Sequence, residues 1–182
     1  MDGVKPYWDE VITECPDGYM KDDEGNVTVF SAEALAWFCR MDMGQCFEGK
    51  TLYVGNDIDM GAYRWRPLGC FWGTIEGNNH TLSNLICRES TSDEDSRFIG
   101  FVGMGDRTTV RNLIIKDGLF AGREFVGSLF GSAMCSVFDN CHIVNTQVTG
   151  NSSVAGLGGE IPTSGLGDCI VNNCSASGAI YA

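Results

Sequence analysis

Two unrelated columns of this sequence keep one spacing: Asn84, Asn112 and Asn140 recur at equal steps, and Gly103, Gly131 and Gly159 recur at the same interval. A shared period of this length means stacked structural units, none of which can bury its apolar face alone. Between the markers, further columns are apolar at the same interval: Leu82, Val110 and Phe138; Leu85, Leu113 and Cys141; Phe98, Val126 and Val154; Phe101, Leu129 and Leu157. Helical repeats need paired helices with apolar residues three and four apart, a pattern missing here. Residues 109–115 and 125–131 instead read as short strands, the first rich in β-branched side chains and the second ending at glycine. About 28 residues at roughly 3.3 Å each supply the strands and tight bends of one turn of a parallel β-helix. The expected fold is therefore all-β, a right-handed parallel β-helix with a short amino-terminal capping helix.

The asparagine column has a physical reason in such a stack. At the strand spacing of about 4.8 Å, carboxamides can hydrogen-bond along the stacking axis and satisfy polar groups at a bend. The expected ladder is Asn84, Asn112, Asn140 and Asn173, the last step being longer than the others. The extra residues, about five, fall within 160–168, where Pro162, Gly165 and Gly167 mark a loop pushed out of one coil.

Residues 1–46 are expected to form an acidic amino-terminal segment and cap, and residues 47–182 the coils, the last of them expected to be incomplete. In the cap, Ser31 is the expected N-cap of a helix, Glu33 suits its first turn, Ala34, Leu35 and Phe38 share one face, and Gly44 would end it. A helix there covers apolar interior and unpaired strand edges that the first coil would otherwise expose. A chain of 182 residues with 43% apolar residues suits one elongated domain, and 24 glycines against 4 prolines suit many bends. The net charge of −12 argues against nucleic acid, whose phosphates need clustered Lys and Arg. No apolar run approaches the roughly 18 residues of a membrane span, so membrane insertion is not expected. The first ten residues show no apolar signal-peptide region.

The chemistry-bearing residues point away from catalysis. Nine cysteines include no C-x-x-C pair, which removes zinc-ribbon and thioredoxin readings; no metal or cofactor is expected. Cys141 and Cys174 share the column of Leu85 and Leu113, and Cys135 and Cys169 lie five and four residues before their marker asparagines. Either pair can form a disulfide across neighbouring coils or remain free core thiols, and both readings stay open. Asp117 and Asn145 share a column, but no Asp, Lys and Arg group repeats on one face, and no carboxylate pair suited to glycoside hydrolysis emerges. His80 reads as a structural bend residue and His142 as an outward strand residue. The acidic runs 22–24 and 92–95 lack the alternate-residue ligand spacing of a calcium loop. Trp65 and Phe71 read as core, whereas alternation turns Trp72 outward. Trp72 with Arg64 or Arg66 is the expected ligand-contact patch, since planar aromatics with cationic neighbours stack on sugar rings. Burial of Trp72 under the amino-terminal segment is the competing reading.

An ordered string of motifs carries a family resemblance. Phe30-Ser31-Ala32-Glu33-Ala34-Leu35-Ala36-Trp37, Phe47-Glu48-Gly49-Lys50-Thr51-Leu52, Asp57-Ile58-Asp59-Met60, Trp65-Arg66-Pro67-Leu68-Gly69 and the stretch from Phe71 to Leu85 resemble the opening segment of bacterial surface proteins with GLUG repeats. Gly127-Ser128-Leu129-Phe130-Gly131 and Ala155-Gly156-Leu157-Gly158-Gly159 resemble degenerate copies of the GLUG motif. The resemblance implies a right-handed β-helix in a secreted or cell-surface, adhesin-like protein, a module also found attached to immunoglobulin A-cleaving metallopeptidases. It implies no catalytic residues within the repeats, and the zinc-binding His-Glu-x-x-His of those peptidases is absent here. This sequence departs from the pattern in placing Cys, Met and bulky residues where relatives carry simple aliphatics. The expected function is a non-catalytic extracellular module that binds glycans or host surface proteins. The alternatives are a structural stalk that self-associates through its carboxyl-terminal coil and, third, a polysaccharide-acting enzyme.

Overall fold

The computed structural model describes residues 5–94, 96–162 and 167–182, and among them strands dominate. Four strands, Leu68–Phe71, Val102–Asp106, Phe130–Met134 and Gly158–Glu160, lie side by side in one parallel sheet. Arg97–Ile99, Glu124–Val126 and Ser152–Val154 form a second, also parallel. A third sheet of 12 strands is built around Thr109–Lys116 and Val137–Thr149, with Val110 opposite Phe138 and Ile115 opposite Ile143. Among the described residues the one antiparallel pairing joins Tyr19–Lys21 to Val27–Val29. The chain is thus all-β in class, its largest sheet is mixed, and among the described residues no sheet closes as a barrel.

Parallel register explains the core. Residues in register point to the same face, so an inward residue in one repeat stacks on an inward residue of the next. Leu68, Val102 and Phe130 are buried together, as are Ile75, Val110 and Phe138, and Cys87, Phe120 and Val148. Aromatic contacts knit the core together: Phe130 stacks on Phe138 of another sheet at 4.3 Å, and Trp65 stacks on Phe101 at 5.4 Å. Each buried side chain of this size contributes about 1.5–3 kcal/mol of transfer free energy.

The bends repeat as strictly as the strands. Arg107, Asn112, Asp117 and Phe125 all have positive φ, and so do Cys135, Asn140, Asn145 and Ser153, their counterparts one repeat later. Four left-handed corners per repeat therefore turn the chain. Asn and Asp tolerate this backbone because their short polar side chains bond locally. Phe125 does not share that tolerance. Its ring stacks on Phe98, the left-handed residue of the preceding repeat, at 5.1 Å and 12° between planes, with the Arg97 guanidinium over both rings.

Register corrects several of the columns expected from sequence. Leu82 lies opposite Ile115 rather than Val110, and Val110 lies opposite Ile75. Phe98 falls in step with Phe125, not Val126, because Arg97 and Ile99 pair with Glu124 and Val126. The cause is chain length between strands. Arg88 pairs with Ala121 and Arg97 with Glu124, so the whole stretch 89–96 in one repeat matches only the corner 122–123 in the next, an excess of six residues. At the other end, Ser132 pairs with Glu160 and Val137 with Ile170, so the stretch 161–169 matches 133–136 and holds the five expected extra residues. Of that insertion, residues 163–166 lie outside the described residues.

At the amino-terminal side, helix Ala32–Met41 begins at Ser31, whose Oγ accepts the Ala34 N–H at 3.2 Å, and buries Ala34, Leu35 and Phe38. It stops at Met41 with Asp42 as C-cap, two residues before Gly44, which opens the 3-10 turn Gly44–Phe47. The Asp42 carboxylate accepts hydrogen bonds from both the Tyr19 hydroxyl and the Lys21 ammonium, fastening the hairpin to the helix end. The expected division at 46/47 does not interrupt packing. Val27–Val29 pairs in parallel with Thr51–Val54, and one apolar cluster runs from Trp8 to Val148.

Candidate functional site

The expected ladder and the expected patch are both rearranged. Asn140 donates to Asn112 and Asn173 donates to Asn140, each at 2.9 Å, so those three asparagines form one ladder. Asn84 is not its first rung. Ser83 pairs with Lys116, so Asn84 belongs to the next corner, where it donates to Asp59 at 2.9 Å and lies in step with Asp117, to which Asn145 donates at 2.6 Å. The Asn112 amide instead donates to Glu76 at 3.0 Å. Burial raises the Glu76 pKa, but hydrogen bonds from Asn112, the Asn78 backbone and Arg111 outweigh it and leave the carboxyl below its ordinary value.

Trp72 is half-buried and has the Arg107 guanidinium 5.8 Å from its ring centroid. Arg66 and Arg64 lie beyond the other end of strand Leu68–Phe71, about 20 and about 26 Å from Trp72 along extended chain. There they sandwich a different aromatic, Tyr7, with guanidinium carbons 4.0 and 3.9 Å from its ring centroid. Arg66 is further held by Asp9 at 3.1 Å and Glu10 at 3.3 Å, and the Arg64 Nε donates to the Lys5 carbonyl at 2.7 Å.

This arrangement follows from strand pairing. The segment around Pro6 and Tyr7 adds to the sheet beside Arg64, which in turn lies beside Ile86; the Arg64 N–H donates to Pro6, and the Trp65 N–H to Ile86. Leu119–Ala121 continues on the far side of Ile86–Arg88, followed by residues 147–149 and 179–181. An open groove of about 920 Å³ runs over this face. Ile86, Leu119 and Gln147 line its floor in register, as do Arg88, Ala121 and Thr149, while Lys5 and Arg64 close one end. Glu89, Ser90 and Thr91, at the start of the excess stretch, form its rim, tied down where the Asn151 amide donates to the Thr91 carbonyl at 3.0 Å.

Glu89 stands between this groove and a smaller hollow of about 390 Å³ that holds Tyr7, Arg66, Asp93, Arg97 and Phe98. It accepts the Tyr7 hydroxyl. Burial, and then the Asp93 charge, raise its pKa. Sequence reading missed this pair of acids. No period links Tyr7 to Glu89, and the acidic run 92–95 gave no hint that Asp93 faces a hollow.

Elsewhere, His142 bridges two ladder neighbours, with Nδ1 2.9 Å from Ser175 Oγ and Nε2 3.1 Å from Asn140 Oδ1. The chain of three resembles a nucleophile, base and orienter, but it lies on the exposed sheet surface and lines neither the groove nor the hollow. His80 sits 3.3 Å from Asp57 at a bend, as expected of a structural histidine. All nine cysteines are free thiols. Cys141 and Cys174 are in register on neighbouring strands, and each thiol donates to backbone carbonyls. Cys169 faces Ser136 instead of Cys135, which occupies a left-handed corner, so the Cys135 and Cys169 pairing is one residue out of step.

Fold and groove together define a strand-rich protein whose parallel repeats present an open, cation-lined face. In comparison with known proteins, 97 residues of the chain are 34% identical to halomucin of Haloquadratum walsbyi (strain DSM 16790 / HBSQ001), covering 53% of this chain and 1% of that relative. No family model and no solved structure matches the chain. Among the described residues, no helix is long and apolar enough to cross a membrane.

Proposed function

We propose that this chain is a right-handed parallel β-helix of GLUG-repeat type and that it serves as a non-catalytic surface module, binding glycans along the groove. Parallel pairing between successive repeats in all three sheets, with four left-handed corners per repeat, supports the β-helix. The partial similarity to halomucin supports a surface setting. One observation carries the binding role: a long open groove whose floor alternates half-buried apolar side chains, Ile86 and Leu119, with Gln147, Thr149 and Arg88. Sugar rings present apolar faces and rims of hydroxyls, which such a floor matches.

The test is retention of the purified chain on a panel of host and microbial glycans, with fragment release scored in the same samples. Retention lost in Arg64→Ala and Arg88→Ala but kept in Trp72→Ala supports the groove. Retention lost only in Trp72→Ala moves the contact to the Trp72 and Arg107 corner. A hydrolytic role would run through Glu89 and Asp93, so fragment release that Glu89→Gln abolishes overturns the non-catalytic reading. Assembly is the second reading, favoured by Ile170, Val171, Ile180 and Tyr181, which are 45–57% exposed on the last strands. Concentration-dependent oligomers that Tyr181→Ser disperses would establish it.

A further inference from the structure

We infer that the groove selects an anionic glycan, one carrying carboxylates or sulfates; the inference rests on the glycan-binding reading above. The chain carries 24 acidic side chains against 12 Lys and Arg, so a cation without a carboxylate partner is unusual on its surface. Outside the groove, Lys21, Arg66, Arg97, Arg107, Arg111, Lys116 and Arg123 each pair with an Asp or Glu of the chain, while Arg40 holds backbone carbonyls and Lys50 lies over the Phe47 ring. Inside it the pattern breaks. Arg64 holds two backbone carbonyls, those of Lys5 and Arg88. Lys5 holds the carbonyl of Gly61 at 2.6 Å, and the exposed Arg88 guanidinium has no partner among the described residues.

Three cations therefore line the groove with one carboxylate, Glu89, and that carboxylate is engaged by Tyr7. Backbone carbonyls orient the Arg64 and Lys5 heads without neutralising them, so their positive charge stays available to a ligand. Like charges gathered at one place repel each other, and an anion laid between them relieves the repulsion while accepting charge-assisted hydrogen bonds. A planar carboxylate or a sulfate suits the guanidinium fork, and Ile86 and Leu119 offer the apolar surface on which the sugar ring rests. A neutral glycan would leave the cations unsatisfied.

Matched polymers test this: polygalacturonate against its methyl ester, and chondroitin sulfate against chondroitin stripped of sulfate, each immobilised and challenged with the whole chain. The inference expects about tenfold weaker binding to at least one neutralised polymer than to its charged parent, and loss of retention as salt rises from about 0.05 M to about 0.5 M. It also expects about tenfold weaker binding in Arg88→Gln, partial recovery in Arg88→Lys, and no change in Lys116→Gln, which removes one charge outside the groove. A difference in the first pair assigns carboxylate, and one in the second assigns sulfate. Equal binding to each charged polymer and its neutralised form overturns the anionic selectivity and leaves the glycan-binding reading standing; retention on no glycan of any kind overturns both.

Discussion

Gly69 and Gly131 occupy one column of the four-stranded sheet, yet a side chain would meet opposite fates at the two positions. A Cβ on Gly131 would lie 2.4 Å from the carbonyl carbon of Phe98 and 2.7 Å from the Gly103 oxygen, whereas a Cβ on Gly69 would meet nothing within 4 Å. Gly159 repeats the tight case, with its Cβ 2.4 Å from the backbone of Phe125. In the regular middle of the molecule, Gly131 and Gly159 each pack against the left-handed residue of the preceding repeat, Phe98 and Phe125. Gly69 has no such corner beneath it and borders the hollows beside Tyr7 and Arg66 instead. Periodic contacts thus hold the middle, while the first repeat has given up that regularity and gained concave surface.

Substitution separates the two regions most sharply at these glycines. Gly131→Ala should cost about 3 kcal/mol in urea unfolding because the obstructing atoms are backbone. Gly69→Ala should stay within about 0.5 kcal/mol of the parent. Equal losses at both sites would dissolve the distinction. Next in size is Asn140→Ala, which removes a rung bonded on both sides and places Ala in a left-handed corner, a loss of about 2 kcal/mol. Asn140→Gly keeps the backbone freedom and should lose about half as much; an equal loss in the two variants would assign the whole effect to the ladder.

A smaller effect concerns acid stability. Glu76 has a folded pKa below its ordinary value, so the stability it contributes is complete above its unfolded pKa and drains away as pH falls through the folded one. Glu76→Gln should flatten that part of the curve of unfolding free energy against pH. An unchanged slope would mean that its bonds to Asn112 and Arg111 contribute nothing to folding. Least perturbing is thiol accessibility in the native protein. Burial pushes Cys87 up to about 12, and burial together with Cys174 pushes Cys141 up to about 12, whereas Cys15 and Cys70 are exposed. Alkylation at pH 8 followed by peptide mass mapping should label Cys15 and Cys70 quickly and spare Cys87 and Cys141 until the chain unfolds.

The regular middle was legible in the sequence because its period is written in side-chain chemistry. Asn112 and Asn140 sit at left-handed corners that asparagine tolerates, and Gly103, Gly131 and Gly159 sit in one strand column. Asn84 misled because its spacing to Asn112 equals the regular repeat only by coincidence. Excess residues at 89–96 stretch that repeat and move Asn84 to the next corner. The groove was illegible for a different reason. It depends on Tyr7 meeting Glu89 and on Arg64 pairing with Pro6, contacts between distant segments that leave no periodic mark. Arg64 and Arg66 were expected beside Trp72 but lie against Tyr7, because alternation reports only which face Trp72 takes and not which corner it occupies.

The most direct test is the register itself, read from backbone nuclear Overhauser contacts in uniformly labelled protein. Contacts between Val110 and Phe138, together with contacts between Leu82 and Ile115, are the predicted result. A contact between Leu82 and Val110 in place of Leu82 and Ile115 would restore a uniformly spaced stack and contradict the account of how the groove arises.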